Sequence, residues 1–456
     1  MRDIKEFQIL DINAVSQGID IFKLMENAGN KLAKHIIDFF PEIDLFLFIC
    51  GKGNNAGDGY IAAQVLHDEG LDVRIINLSK NINNTAKKAF DRYEGEIVES
   101  SHLEHISPDS SLLIDCLLGS GIKGEPRNIF RSMIKEINLF PNILSVDVPS
   151  GFGKKFSVIP TQTLTFHDQK KGMNVDNCGE IFVTDIGISE KIDESCGPGE
   201  LELFPKFVSD KHKGQNGKVA IVGGGEYAGA PAIAGMGAYR TGVDLVHIFV
   251  PDNNFDQVSS FAPELIVHNI GTNYVSDDIM VMLEKHHFDS IVIGPGMGKS
   301  ESALDTVQEV INNFDNIVID ADAINNYDFG EKNVLLTPHK GELIRLKVNP
   351  VKEELMNFSL SSGATLLLKG EIDYITDGLY FKNNYTGHPR MAVGGTGDLL
   401  AGICGALLGK GLTAFECGRL ASYVFGLAGE RCYNENGPGF IPTDLALSVS
   451  KILGKL

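Results

Sequence analysis

The sequence has too little positive charge for a nucleic-acid surface. Its 456 residues hold 60 acidic against 40 basic side chains, a formal net charge of −20, whereas a phosphate backbone is normally met by a basic face. No nucleic-acid partner is expected. A small anionic ligand stays open, because glycine loops and helix starts offer N–H donors without net charge. Paired cysteines are missing too. The seven cysteines (50, 116, 178, 196, 404, 417 and 432) are odd in number and scattered, with no C-x-x-C spacing. That argues against a disulfide framework or zinc site and for reduced thiols in a cytoplasmic protein. Long apolar runs are also absent. The opening MRDIKEF lacks the apolar core of a signal peptide. The run IIDFFPEIDLFLFIC is broken by Pro41, Glu42 and Asp44, so no membrane span is expected. Neither a solenoid repeat nor a low-complexity tract is evident.

What is present is a length that suits two or three domains, with each half able to bury a core of its own. Apolar residues make up 43% and charged residues 22%, an ordinary globular mix. Short apolar runs recur, each followed by a small-residue loop and a helix-like stretch. The first half has LFLFIC (45–50), VRIINL (73–78), SLLIDCLL (111–118), ILSVDV (143–148) and EIFVTDIG (180–187). The second restarts the pattern with KVAIVGG (218–224), LVHIFV (245–250), SIVIGPG (290–296), NIVIDADA (316–323), NVLLTPH (333–339) and ATLLLKG (364–370). Continuous apolar strands alternating with helices predict parallel sheets covered on both faces. The polar stretch around SEKIDESCGPGELELFPKFVSDKHKGQNG separates them, giving expected domains 1–206 and 207–456.

In such sheets ligands bind at the carboxyl ends of strands, and unusual residues gather there. CGKGNNAGDGY follows the first strand. Asp115 lies inside an apolar strand before the loop 119–124, and Asp147 ends another before Pro149 and Ser150. A carboxylate in an apolar strand is costly unless it is paired, hydrogen-bonded or metal-bound.

NNAGDG, DCLLGSG with GEPR, VDVPSG and TLTFHDQKKGM, in this order, resemble the epimerase domain of the NAD(P)H-hydrate repair enzymes. That family interconverts the R and S forms of NAD(P)H hydrated at C6 of the nicotinamide. The resemblance implies a potassium site from Asn55, Asp115 and Ser150, an oxygen set suited to a hard cation though not selective for potassium. It implies hydrate binding by Asn54, Asn55, Ala56, Gly57 and Asp58 and by Gly119, Ser120, Gly121, Ile122, Lys123, Gly124 and Glu125, with Asp147 as acid/base. The family usually has glycine where Ala56 stands. Alanine is harmless there if φ is negative and a problem if it is not. The segment after VDVPSG is also short.

In the second half, three consecutive glycines, Gly223 to Gly225, open a helix without the acidic residue that would bind a ribose. This makes a dinucleotide fingerprint the weaker reading. In MAVGGTGDLL the glycines can aim N–H groups at phosphate oxygens from a helix start. Asp398 is expected both to cap that helix and to take a proton from a hydroxyl aimed at a phosphate. G-[AG]-x-G-D at a helix start resembles the ribokinase-like signature. VGGG…GAP, GPGMG, IDADAIN, TPHKGE, LLLKG and MAVGGTGD, in order, resemble the nucleotide-dependent NAD(P)H-hydrate dehydratase.

The second resemblance implies a hydrate site from Ala230, Gly298, His339 and Asp398, with Asp398 catalytic. It implies ADP or ATP, with Mg2+, bound by Lys369, Gly370, Glu371, Ile372 and Asp373 and by His388, Pro389, Arg390, Met391, Ala392, Val393, Gly394, Gly395, Thr396 and Gly397. Together the two resemblances imply a bifunctional repair enzyme acting on NADHX and NADPHX, cytoplasmic and a homo-oligomer. Its fold would be an N-terminal Rossmann-like three-layer parallel-sheet domain and a C-terminal ribokinase-like α/β domain. A small-molecule kinase fused to a non-catalytic binding domain is the alternative. A stable phosphorylated product would reveal it.

Overall fold

The computed structural model describes residues 1–456 except 207–211, 213, 275 and 456. The described chain divides into two compact units, 1–193 and 194–456.

The first unit carries seven strands: β1 Leu45–Cys50, β2 Asp72–Asn77, β3 Glu96–Val98, β4 Ser111–Cys116, β5 Ile143–Val146, β6 Gln162–Phe166 and β7 Glu180–Thr184. They pair in parallel throughout, in the order β3-β2-β1-β4-β5-β6-β7. The unbroken apolar runs follow from burial on both faces. Phe46, Phe48 and Cys50 join one cluster with Leu32, Ile36, Tyr60 and Ala63 of the helices Ile21–Phe39 and Asn54–Asp68. Leu47 and Ile49 point the other way, into a second cluster with Met133, Ile134 and Ile137 of the helix Ile129–Ile137. The strand order reverses between β1 and β4, which opens a crevice at their carboxyl ends.

The second unit carries β8 Lys218–Val222, β9 Leu245–Val250, β10 Ile266–Asn269, β11 Ser290–Ile293, β12 Asn316–Ile319, β13 Asn333–Leu336, β14 Thr365–Leu368, β15 Asp373–Thr376 and β16 Phe381–Asn384. Their order is β10-β9-β8-β11-β12-β13-β14-β15-β16. Only the final β14-β15-β16 meander is antiparallel. Here the reversal lies between β8 and β11. The Gly-rich helices serve packing. A Cβ on Gly402 of the helix Thr396–Gly409 would lie 1.8 Å from the Ala234 carbonyl oxygen of the helix Gly229–Arg240. A Cβ on Gly405 would lie 2.3 Å from Val292 of β11.

Residues 194–206, assigned by composition to the first domain, pack instead on the second unit. Cys196 N–H donates to the Asn383 carbonyl at 2.8 Å. The fully buried Glu200 faces the equally buried Arg419 at 3.4 Å. Acidic residues made this stretch look like a linker, but one acid is an interior ion partner. The expected junction at 206/207 borders residues outside the described set.

Candidate active site

At the reversal of the first sheet, a cavity of about 690 Å³ is lined by Asn54, Asn55, Asp58, the loop Gly119–Lys123, Asp147 and Lys170. Asp147 follows β5 with φ +63°, a left-handed conformation that is strained for a side chain other than glycine. Its N–H donates to the Leu164 carbonyl at 2.8 Å, which anchors it to β6. The buried Lys170 ammonium pairs with the Asp147 carboxylate. The same ammonium donates to Thr165 Oγ1 at 2.8 Å and to the Phe166 carbonyl at 3.0 Å, and lies 4.2 Å from the Phe7 ring centre. Two more acids share the cavity. Burial, with Asp147 nearby, pushes Asp11 up to about 6. Burial, with Asp147 and Asp11 nearby, holds Asp58 well above the ordinary carboxylate range. One ion pair and two carboxyls of raised proton affinity therefore face one space.

Behind this wall, Asp115 accepts from Ser145 Oγ at 2.9 Å, Ser150 N at 2.8 Å, Ser150 Oγ at 2.5 Å and Leu117 N at 3.3 Å. Burial still raises its carboxyl, against those hydrogen bonds. Asn55 is 8% exposed, yet neither its amide oxygen nor its nitrogen has a hydrogen-bond partner. That is unusual for a buried amide.

The structure separates the expected binders. Asn54, Asn55, Asp58 and Gly119 to Lys123 line the cavity, whereas Ala56, Gly57, Gly124 and Glu125 are not among its lining. Ala56 is fully buried in the first turn of the helix Asn54–Asp68, without a positive φ, so replacing glycine there brings no strain. Gly57 packs on Met25, whose sulfur a Cβ would approach to 2.4 Å. The exposed Glu125 accepts from Lys155 N–H at 3.2 Å and so holds the short loop after Gly151.

In the second unit, the ends of β12, β13 and β14 bring charges together. Lys369 Nζ donates to Asp320 Oδ1 at 2.7 Å, and Thr337 Oγ1 donates to the same oxygen at 2.8 Å. Burial would lower Lys369, but Asp320, Glu342 and Asp398 outweigh it and raise it above its ordinary value. Lys369 is thus a fixed cation rather than a surface lysine. Its ammonium lies 3.3 Å from where a Cβ on Gly397 would sit, so the glycine lets it reach the GGTGD loop. Burial and the Asp320 charge push Asp398 up to about 6, with Lys369 opposing. The cap of that helix is Gly395, at φ +90°, with no side-chain cap bond. Asp398 is therefore not the cap that the sequence suggested. It sits in the first turn with its carboxylate left for other work.

His339 caps the helix Lys340–Leu346: Gly341 N–H and Glu342 N–H donate to its Nδ1 at 2.9 and 3.2 Å. That geometry leaves Nε2 to carry the ring hydrogen. Gly298 N–H donates to Asp322 at 3.2 Å, with open space where a Cβ would point. Ala230 packs beside Gly296, where an added Cβ would come within 3.1 Å of the alanine's own. Of the expected nucleotide binders, Gly370 and Glu371 are exposed at the β14–β15 turn, with Ile372 beside them. The Asp373 carboxylate is turned inward, accepting from Gly370 N–H at 3.0 Å and Ser422 Oγ at 2.6 Å. His388 stacks on Tyr433 with centroids 3.6 Å apart. Met391 fills the space above Gly429. The Arg390 guanidinium donates to the Pro438 carbonyl. Pro389, Ala392, Val393, Gly394 and Thr396 complete the approach to the helix start. Asp11, Lys170 and Asp320 went unnoticed as site residues. Lys170 lay in the quoted TLTFHDQKKGM and Asp320 in the quoted IDADAIN, at a strand end of the kind that singled out Asp147.

Two parallel-sheet units, one with a carboxylate-lined crevice and one with a glycine helix start beside a lysine and an acid, define an α/β enzyme of two sites. The family model described as NAD(P)H-hydrate dehydratase matches residues 219–451, and that described as YjeF-related protein N-terminus matches residues 22–172. The chain is 36% identical to the bifunctional NAD(P)H-hydrate repair enzyme Nnr of Archaeoglobus fulgidus, over 98% of this chain and 97% of the relative. It is 30% identical to the Nnr of Coxiella burnetii, over 97% and 96%. Among solved structures, the ADP/ATP-dependent NAD(P)H-hydrate dehydratase of Bacillus subtilis, co-crystallised with ATP and Mg2+, matches with TM-score 0.50 and 23% identity, over 56% of this chain and 95% of that one. A ribokinase-like superfamily protein of Enterococcus faecalis matches with TM-score 0.51 and 24% identity, over 56% and 93%. The chain belongs to the bifunctional NAD(P)H-hydrate repair enzyme family, an isomerase and a lyase in one polypeptide. No helix among the described residues is long and apolar enough to cross a membrane.

Proposed function

We propose the following division of labour within that bifunctional activity. In the first unit, Asp147 acts as acid/base at the C6 hydroxyl of the hydrate, with Asp58, whose carboxyl burial holds well above the ordinary range, and Asp11, raised to about 6, beside it. The hydroxyl leaves as water while the N1 lone pair stabilises a planar C6, and water returns to either face. The crowding of three carboxyls around one buried lysine supports this. Asn55, Asp115 and Ser150 would hold potassium: the buried Asn55 amide oxygen has no hydrogen-bond partner, and an unsatisfied oxygen suits a hard cation. Bound there, it would supply positive charge near the loop Gly119–Lys123, favourable to a dinucleotide phosphate.

In the second unit, Asp398 takes the proton of the C6 hydroxyl of S-NAD(P)HX as that oxygen attacks the terminal phosphorus of ADP or ATP. Lys369, held by Asp320, steadies charge on the transferred phosphoryl, and the N–H groups at the Gly395–Gly397 helix start cradle it. The N1 lone pair then expels phosphate from C6, and loss of a C5 proton restores the dihydronicotinamide. Hydroxide leaves poorly and phosphate leaves well. Mg2+ would enter with the nucleotide phosphates.

The observation that carries this reading is the Lys369–Asp320–Asp398 cluster at the glycine helix start. All seven cysteines are free and buried, which supports work in a reducing cytoplasm. The test is stoichiometric: phosphate released should equal NAD(P)H formed, one for one. A lasting phosphorylated dinucleotide would instead make this a conventional kinase.

A further inference from the structure

At the edge of the second sheet, remote in strand order from β12 and β14, three histidines converge. We propose that His247, His268 and His286 bind a zinc-class divalent cation, with water completing the coordination. His247 comes from β9, His268 from β10 and His286 from the last position of the helix Ser276–His286. One ring nitrogen of each lies within 4.8 Å of the other two. The ring centroids are 5.1, 5.0 and 5.2 Å apart, nearly an equilateral triangle. Three imidazoles on one tetrahedral ion, with metal–nitrogen bonds of about 2.0 Å, set their centroids about 5 Å apart. The His247 Nδ1 to His268 Nε2 distance is 2.9 Å. Coordination needs it to open only to about 3.4 Å, a change within side-chain reach.

The surroundings suit neutral imidazole ligands. Phe249 stacks on His268 at 4.6 Å and Phe288 meets His247 edge-on at 5.1 Å, so the rings are held by apolar neighbours. His247 is buried, while His268 and His286 are partly open, which gives an entry path and room for water. Burial, and the neighbouring His268 and His286, push His247 down to about 4. Burial lowers His268 as well, the direction that favours the neutral imidazole a metal takes. Lys218, which donates to the His286 carbonyl at 2.8 Å, and Lys285 add positive charge. They disfavour a bare cation but not one held through three donor bonds. Imidazole sets of this kind select zinc, copper or nickel over magnesium or calcium. The cysteine pattern argued against a zinc site, but these ligands are all imidazoles, spread over three elements with no sequence spacing to mark them. A bound ion would tie the edge strand β10 to its neighbour and to the covering helix.

The experiment titrates chelator-treated, untagged full-length protein with Co2+ and reads the visible d–d absorption. The expected result is one equivalent with the strong bands of a tetrahedral nitrogen site, displaced by Zn2+. His268→Ala and His286→Ala should each weaken binding by more than the about 10–100-fold that losing an outer hydrogen-bond partner of a ligand costs. The exposed His105→Ala should leave it unchanged. Zn2+ should also raise the melting temperature of the wild type but not of His268→Ala. No saturable tetrahedral band in the wild type, a result that needs no variant to fold, overturns the site. So does a band that survives both histidine substitutions.

Discussion

Replacing Asp398 by Asn should remove dehydration and, at the same time, stabilise the second unit. The carboxyl moves from 3.8 to about 6, first through burial and then through the Asp320 charge. That shift of about 2 units corresponds to about 3 kcal/mol of disfavoured ionisation at about 1.4 kcal/mol per unit. The sign follows from linkage: a carboxyl with a raised folded value costs nothing below pH 3.8, and its full cost is present above about pH 6. Asp398→Asn should therefore gain up to about 3 kcal/mol in urea unfolding at about pH 8 and almost nothing near pH 4. The same shift governs the wild-type rate, since a base must be ionised to accept a proton. The dehydration rate should rise along a limb centred near pH 6. Asp320→Asn, which removes a raising charge, should move that limb to lower pH, and Lys369→Met, which removes a lowering one, to higher pH. A flat profile, or Asp320→Asn moving the limb upward, would refute the assignment of Asp398 as base.

Asn55→Leu should abolish any potassium dependence of epimerisation. Without potassium it should stabilise the first unit by up to about 1–3 kcal/mol, because it removes two unsatisfied buried polar atoms. Lower thermal stability of that variant in sodium buffer would count against an unsatisfied, cation-ready amide. Ala56→Gly, which restores the family's usual residue, should cost up to about 1 kcal/mol as a helix interior glycine. It should leave epimerisation unimproved, as read from R/S exchange rates and melting curves. Arg419→Met removes a buried cation 3.4 Å from the buried Glu200 carboxylate and should cost about 3–5 kcal/mol in unfolding measurements, whereas Arg419→Met with Glu200→Leu should recover part of it.

The sheets were legible because strands buried on both faces read as continuous apolar runs. β3, with three residues, was too short to stand out. The β10, β15 and β16 strands, IVHN, DYIT and FKNN, lie at or near an edge and carry polar residues, some of them buried such as Thr376, Lys382 and Asn384, which break the apolar run. Strand-end acids such as Asp147 were visible because a carboxylate in an apolar run is anomalous. Asp11 was not, since it sits on an amphipathic opening helix and reaches the cavity only through tertiary packing. The glycines of one helix serve different ends: Gly402 and Gly405 thin it for close packing, Gly395 takes a positive φ at its start and Gly397 makes room for Lys369.

The most direct test is epimer-resolved turnover of NADHX by the full chain with ADP or ATP, following the return of dihydronicotinamide absorbance. The wild type should consume both epimers completely. Asp147→Asn should stop after the S epimer, and Asp398→Asn should exchange R and S without forming NADH. Failure of every nucleotide to support NADH formation by the wild type, or loss of both steps in either variant, would contradict two separate sites with these two residues at their centres.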